Sequence, residues 1–409
     1  MRALSLLFVI PLALVLSACG GPSGDGQPLK SAPEQIARGK YRARAADCAA
    51  CHTAPGGPAL AGGAALESPF GSLYGSNITP DPETGIGKWS ADDFYRAMHD
   101  GSSPGGRQLY PAMPYTSYRG MSRADVDAVY AYLMSAPPVK QANKPADLHF
   151  PYNLRFGVFF WKLLFLKDEL PDSSQGDSPD WKRGRYLSNV LGHCGECHTP
   201  RGMLGQMSLG DQLKGAPLGR WMAPDITATG LAARGWSEAD IKQFMKTGIA
   251  RQGSAFGEMH MVVALSTQYL TDDDLRSLTV YTTGDKPVAP QPPKPEPKVD
   301  QSMASGRQLY LNSCAGCHGR DGDGRPHVAV AMAGNSTLRQ PDSHNLVTSI
   351  LGGVPAQEFP GLEKMQDMPG FAHQFSDAEL ADLTNYLRAR FGGLASDVSA
   401  DQVKALRVP

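Results

Sequence analysis

One pentapeptide pattern constrains this chain more than any other feature. Cys48-Ala49-Ala50-Cys51-His52, Cys194-Gly195-Glu196-Cys197-His198 and Cys314-Ala315-Gly316-Cys317-His318 all read C-x-x-C-H. At that spacing two thiols add to the vinyl groups of one haem and the next histidine binds its iron. A single C-x-x-C would equally suit a redox dithiol or half of a structural zinc site. Here each pair carries its own histidine, and Cys194 follows Cys48 by 146 positions, Cys314 follows Cys194 by 120. A zinc ribbon needs closely spaced pairs, and a thioredoxin-like site has only one. The expectation is three covalently bound haem c groups, held by Cys48, Cys51, Cys194, Cys197, Cys314 and Cys317, with His52, His198 and His318 as axial iron ligands.

Composition fits that expectation. The 409 residues include 45 glycines and 33 prolines, roughly a fifth of the chain against a usual ~12%. A buried porphyrin supplies apolar volume that side chains would otherwise provide. The formal net charge of −1 gives no basis for nucleic-acid binding.

Arg2 precedes an apolar run from Ala3 to Leu16, which is too short to span a bilayer but suits a signal peptide. The run ends at Leu16-Ser17-Ala18-Cys19, which resembles a bacterial lipobox, whose cysteine is acylated and becomes the mature N-terminus. Cys19 is the odd one of seven cysteines and has no disulfide partner. The alternative is an ordinary signal peptide that leaves a free thiol. In both cases the chain is exported. Residues 19–33 then read as a flexible tether.

The remainder repeats one plan three times. Before each motif stand a glycine and an aromatic: Gly39 and Tyr41, Gly184 and Tyr186, Gly306 and Tyr310. After it comes a helix opened by Ser122 with Asp125, Thr271 with Asp274, or Ser376 with Glu379, each of capping-box form. Tyr132, Tyr281 and Tyr386 lie within those helices. Glycine on one helix and tyrosine on the other suit a close crossing, which resembles the class I cytochrome c fold. The fold expected is therefore mainly α, with three class I cytochrome c-like domains in tandem, each around one covalent haem.

The sixth iron ligand belongs between motif and closing helix. Met113 and Met259 each lie 65 positions after the first cysteine of their motif, and Met368 lies 54 after Cys314. A thioether opposite histidine raises the iron potential, as an electron carrier requires. Core packing is the alternative for any one of the 15 methionines, and Met261 competes with Met259. His99, His193 and His260 are further possible ligands, each equally readable as exposed or capping.

The first two repeats share an element that the third lacks. Asn77-Ile78-Thr79 precedes Trp89-Ser90-Ala91-Asp92-Asp93, and Asp225-Ile226-Thr227 precedes Trp236-Ser237-Glu238-Ala239-Asp240. In the third, Pro326 could present a carbonyl to the His318 ring, although a simple turn reads as well. The expected boundaries are a signal peptide at 1–18, the tether, cytochrome c domains at 34–140, 179–284 and 301–395, an apolar connector at 141–178, a Pro-rich linker at 285–300 and a tail at 396–409. The prolines from Pro287 to Pro297 predict a stiff spacer that sets the third domain apart. Phe156 to Leu166 is intensely apolar and too short to cross a membrane. It suits a partner-binding helix, a membrane contact or a quinone pocket wall, and best of all a helix buried between domains one and two.

These residues resemble, over nearly the whole mature chain, the three-haem cytochrome c subunit of bacterial membrane-bound periplasmic dehydrogenases for alcohols, gluconate, sorbitol or aldehydes. The resemblance rests on Ala43-Arg44-Ala45-Ala46-Asp47-Cys48, Asn77-Ile78-Thr79-Pro80-Asp81, Met113-Pro114-Tyr115, Phe150-Pro151-Tyr152-Asn153, Cys197-His198-Thr199-Pro200-Arg201 and Ser266-Thr267-Gln268-Tyr269-Leu270. It implies a non-catalytic subunit on the periplasmic side of a membrane. Such a subunit takes electrons from a catalytic partner of flavin, quinone-cofactor or molybdenum type and passes them to ubiquinone or a terminal oxidase. Met259-His260-Met261 departs from the family, which more often has an acidic residue at the last place. The tail also lacks the amphipathic membrane helix of some relatives, which leaves a lipid on Cys19 as the anchor. A free-standing multihaem shuttle and a haem enzyme such as a peroxidase are the competing readings.

Overall fold

Three helix crossings organise the chain, each made possible by a glycine. The computed structural model describes residues 32–292, 303–361, 363–395 and 397–407. Helix α1 (Ala32–Ala45) leads into the first motif, α2 (Ala91–Asp100) follows it, and α3 (Arg123–Met134) closes the first unit by packing on α1. A Cβ on Gly39 would overlap the Ala128 carbonyl and crowd Tyr132 Cβ. After the connector helix α4 (Gly157–Phe165), the second unit repeats the arrangement. There α5 (Pro179–Arg185) crosses α8 (Asp272–Thr283), with α6 (Glu238–Thr247) and α7 (Glu258–Leu265) between them. In the third unit α9 (Ala304–Ser313) crosses α11 (Asp377–Leu387), with α10 (His344–Gly352) between. Gly184 lies on Ser277 and Tyr281, and Gly306 on Asp382 and Tyr386, in the same way as Gly39 on α3.

Strands are short and peripheral. β1 (Ala65–Ser68) pairs antiparallel with β2 (Gly71–Tyr74) in the register Ala65 to Tyr74, and β3 (Asp147–Leu148) adds to β2. β4 (Ala216–Leu218) pairs with β5 (Trp221–Ala223), and β6 (Gln357–Phe359) with β7 (Glu363–Met365).

The helix caps follow the sequence with one instructive difference. Ser376 and Glu379 cap α11 reciprocally, as do Ser90 with Asp93 on α2 and Ser237 with Asp240 on α6. On α3 and α8 the hydroxyls of Ser122 and Thr271 accept from the third N–H as expected, but Asp125 and Asp274 turn away. Asp125 accepts from Tyr186 of the second unit at 2.6 Å, and Asp274 from Tyr41 of the first at 2.5 Å. The two units are therefore joined by a reciprocal pair of bonds. Val126, Val129 and Leu133 also share one apolar cluster with Leu187, Leu191, Leu275 and Leu278.

The third unit has its own core around Leu346, Ile350, Leu383 and Leu387, yet it is not set apart. Asn345 exchanges two hydrogen bonds with the backbone of Met222, at 2.7 and 2.8 Å. Arg339 donates to the carbonyls of Ala233 and Gln291, and Phe359 of β6 packs on Ala255 and Val263. The linker prolines Pro293, Pro295 and Pro297 fall outside the described residues, but docking of the flanking units removes the separation expected of a stiff spacer. Much of the expected tail is also structured. Helix α12 (Ala400–Leu406), capped by Ser399 and Gln402, buries Val403 against the third core.

The connector helix α4 is not buried between the units. Only Val158 is fully covered, while Phe159, Phe160, Leu163 and Leu164 face outward. Among the described residues no helix is long and apolar enough to cross a membrane. The signal peptide, Cys19 and the tether up to residue 31 lie outside the described residues.

Candidate haem sites

Each motif forms a short helical turn directly after the first helix of its unit. Cys48–His52 follows α1, Gly195–His198 follows the helical extension of α5 through Leu191, and Ala315–His318 follows α9. Each histidine then meets a backbone carbonyl. His52 Nδ1 lies 2.6 Å from Ser76 O, His198 Nδ1 2.7 Å from Pro224 O, and His318 Nδ1 3.0 Å from Val330 O. A carbonyl only accepts, so each Nδ1 carries the proton and each Nε2 keeps a lone pair for iron. Burial holds all three imidazoles below their ordinary pKa, with the carbonyl bond pushing back. The rings are neutral, as ligation requires.

These carbonyls explain the element shared by the first two units. Ser76 immediately precedes Asn77, whose Oδ1 accepts from the N–H and hydroxyl of Thr79 at 2.9 and 2.7 Å. Pro224 precedes Asp225, whose Oδ1 accepts from the same two groups of Thr227 at 2.8 and 2.7 Å. The local turn fixes the peptide that carries the accepting oxygen. In the third unit Val330 supplies the carbonyl, and not Pro326. Sequence reasoning missed all three acceptors because they are main-chain atoms. The Asn/Asp-x-Thr spacing was the available signal.

The six thiols are unpaired. Burial first, and then nearby carboxylates or thiols, push Cys48 up to about 12, Cys51 to about 11, Cys197 to about 12 and Cys314 to about 11. The three pairs sit in three separate units. The donor set of two thiols and one neutral imidazole per turn fits a covalently held haem c.

The methionines fall into two classes. Met113 and Cys48 line the same apolar cluster, as do Met368 and Cys314 in the third unit. Met259, on the first turn of α7, instead joins Ala255, Val263 and Phe359, beside Met365 of β7. Met261 is 38% exposed.

The other histidines have partners of their own. His99 meets Asp100 at 2.7 Å and stacks on Tyr95, and His260 Nε2 meets Glu358 O at 2.8 Å. His193 packs edge-on against Tyr118, whose hydroxyl donates to Ala46 O at 2.6 Å. Thr116 adds a hydrogen bond to Glu196 at 2.6 Å. The first and second motifs are thus linked by side chains flanking both.

The cytochrome c family profile matches residues 36–137 and 303–390. The cytochrome c subunit of a quinone alcohol dehydrogenase from Gluconobacter oxydans is 38% identical over 91% of this chain and 82% of its own length. The cytochrome c subunit of gluconate 2-dehydrogenase from Pantoea cypripedii is 38% identical over 91% of this chain and 89% of its own length. A nicotinate dehydrogenase subunit from Pseudomonas putida is 41% identical over 90% of this chain, which spans only 32% of that longer protein.

Proposed function

Since this chain belongs to the family of cytochrome c subunits of dehydrogenase complexes, we propose that it is a three-haem electron carrier. It takes electrons from a catalytic subunit of flavin, quinone-cofactor or molybdenum type and delivers them to ubiquinone or a terminal oxidase. The observation that carries this reading is the threefold recurrence of a C-x-x-C turn with its histidine oriented by a carbonyl, in three tandem units. The middle unit, which the family profile leaves unmatched, has the same turn and the same carbonyl contact as the other two.

Bound haem would supply one-electron chemistry, and the chain's own residues set its terms. Cys48, Cys51, Cys194, Cys197, Cys314 and Cys317 would hold the groups, and His52, His198 and His318 would ligate the irons through Nε2. Met113, Met259 and Met368 would add thioether ligands, which favour the reduced state. The Tyr118–His193 ring contact and the packing of β6 and β7 beside Met259 support a short path between successive haems. The chain works on the periplasmic side of a bacterial membrane, anchored by a lipid on Cys19.

The test is purification of the chain from detergent-solubilised membranes. A large subunit should co-purify, and that subunit's substrate should reduce the haem absorption bands. Isolation of the fully haem-loaded chain alone, from cells that produce every partner, would establish a free-standing shuttle instead.

A further inference from the structure

Helix α4 is apolar on two faces, and only one of them is used. Val158, Trp161 and Phe165 recur at helical spacing and form the inner stripe. Val158 is buried, and Trp161 donates to Leu204 O at 2.9 Å, tying the helix to the second unit. On the opposite side Phe156, Phe159, Phe160, Leu163 and Leu164, with Phe150 before them, are between 56% and 77% exposed. Met203 and Leu204, beside Trp161, are also exposed, at 90% and 51%. A contiguous apolar surface of this kind marks a contact site.

Four observations select what it contacts. The exposed side chains stand out from one helix and its leading loop, so they are shaped to enter a soft phase. The N–H groups of Gly157, Val158 and Phe159 are already bonded to the carbonyls of Leu154, Arg155 and Phe156 at 3.0 to 3.1 Å, so the leading end brings few unmet donors into lipid.

Cations flank the helix: Arg107 stands beside Arg155, which donates to Gln108 O at 2.6 Å, Lys162 donates to Asp100 O at 2.7 Å, and Lys167 follows the helix end. The acidic side chains Asp100 and Asp168 at this end are both engaged by Arg119, at 3.0 and 2.9 Å. Burial first and the neighbouring Arg107 charge second pull the Arg155 guanidinium below its ordinary pKa. Like charges held together beside an apolar surface are what an anionic phosphodiester would neutralise. Finally, the described chain begins at Ala32, and a lipid on Cys19 would hold that point within roughly 40 Å of a bilayer.

We propose that this face is a bilayer-docking surface, with the phenylalanines and leucines of α4 in the interfacial region and Arg107 and Lys167 on anionic headgroups. It rests on the preceding reading only in placing the chain beside a membrane. The cytochrome function is tested separately, by haem content and chemical reduction.

The experiment uses the full mature holoprotein, exported behind a signal peptide that leaves position 19 unlipidated, and flotation with phosphatidylethanolamine–phosphatidylglycerol vesicles. The parent should float with the vesicles. The double variant Phe160→Glu/Leu163→Glu should lose at least about tenfold in partitioning, with haem content and reduction unchanged. Arg107→Glu should weaken binding to these vesicles but not to phosphatidylcholine vesicles. Failure of the parent to float, or equal flotation of the double variant, would overturn the proposal. So would a double variant that keeps its vesicle binding but no longer co-purifies with a catalytic subunit, because the face would then be a protein interface.

Discussion

Tyr186, on the helical extension of α5, gives its hydroxyl hydrogen to Asp125 at the start of α3, across the boundary between two units. Asp125 is completely buried and also accepts from Arg42 at 3.0 Å and Arg38 at 2.8 Å. Burial alone would raise its pKa, but the Arg42 charge and the donated hydrogen bonds of Tyr186, Arg42 and Arg38 hold it below the ordinary 3.8. Tyr41, Asp274 and Arg183 repeat the arrangement from the other side.

Tyr186→Phe should cost about 1.5 to 3 kcal/mol, the worth of a hydrogen bond to a charged group. Asp125→Ala should cost about 3 to 5 kcal/mol, because it strands buried arginine charge. Both are read by denaturant unfolding. Since the folded carboxylate pKa is depressed, its stabilising contribution is complete above the ordinary carboxylate range and is lost as pH falls through the folded value. Asp125→Asn should therefore flatten the acid limb of the stability profile. An unchanged acid limb would assign that limb to other carboxylates.

The second centre tests the thioether assignment. Met259→Ala should open one distal position, lower that haem's potential and allow carbon monoxide to bind the reduced protein. Met261→Ala, at an exposed position, should leave all three centres six-coordinate and cost less than about 1 kcal/mol. Carbon monoxide binding only after Met261→Ala would move the ligand to that residue.

Haem stoichiometry by alkaline pyridine spectra should be three per chain, falling to two in a Cys194→Ser/Cys197→Ser variant. A parent value of two would mean that the middle motif is unused despite its oriented histidine.

Gly306→Ala should disturb the third unit alone. The added methyl group meets the Asp382 carbonyl and Tyr386 Cβ, and overpacking of that kind costs about 1 to 3 kcal/mol. Because the third core is separate, calorimetry should show one transition lowered while the transition of the first two units stays in place. A uniform downward shift would mean that all three units melt as one.

The sequence carried the pattern of these helices well where local rules decide. Glycine and tyrosine marked each crossing, and serine or threonine followed by an acid marked the start of each closing helix. It carried less where the partner lies far along the chain. Asp125 and Asp274 look like ordinary capping acids, and only folding shows that their carboxylates serve tyrosines on the other unit. The carbonyls of Ser76 and Pro224 are marked only by the Asn/Asp-x-Thr turn that follows each, and Val330 lacks even that mark, so Pro326 read as the better candidate in the third unit. The apolar run in α4 suggested burial on hydrophobicity alone. Its length gives one face to the protein, and the other remains uncovered.

The apolar cluster shared by Val129, Leu133, Leu187 and Leu278 makes the first two units indivisible. A cut near residue 140 would strip leucines bare on both fragments at once. A cut in the prolines after Thr283 leaves that cluster whole on one side and the Leu383 and Leu387 core whole on the other. In such an architecture the third centre can be gained or lost at an end without dismantling the pair, whereas neither member of the pair can be traded alone.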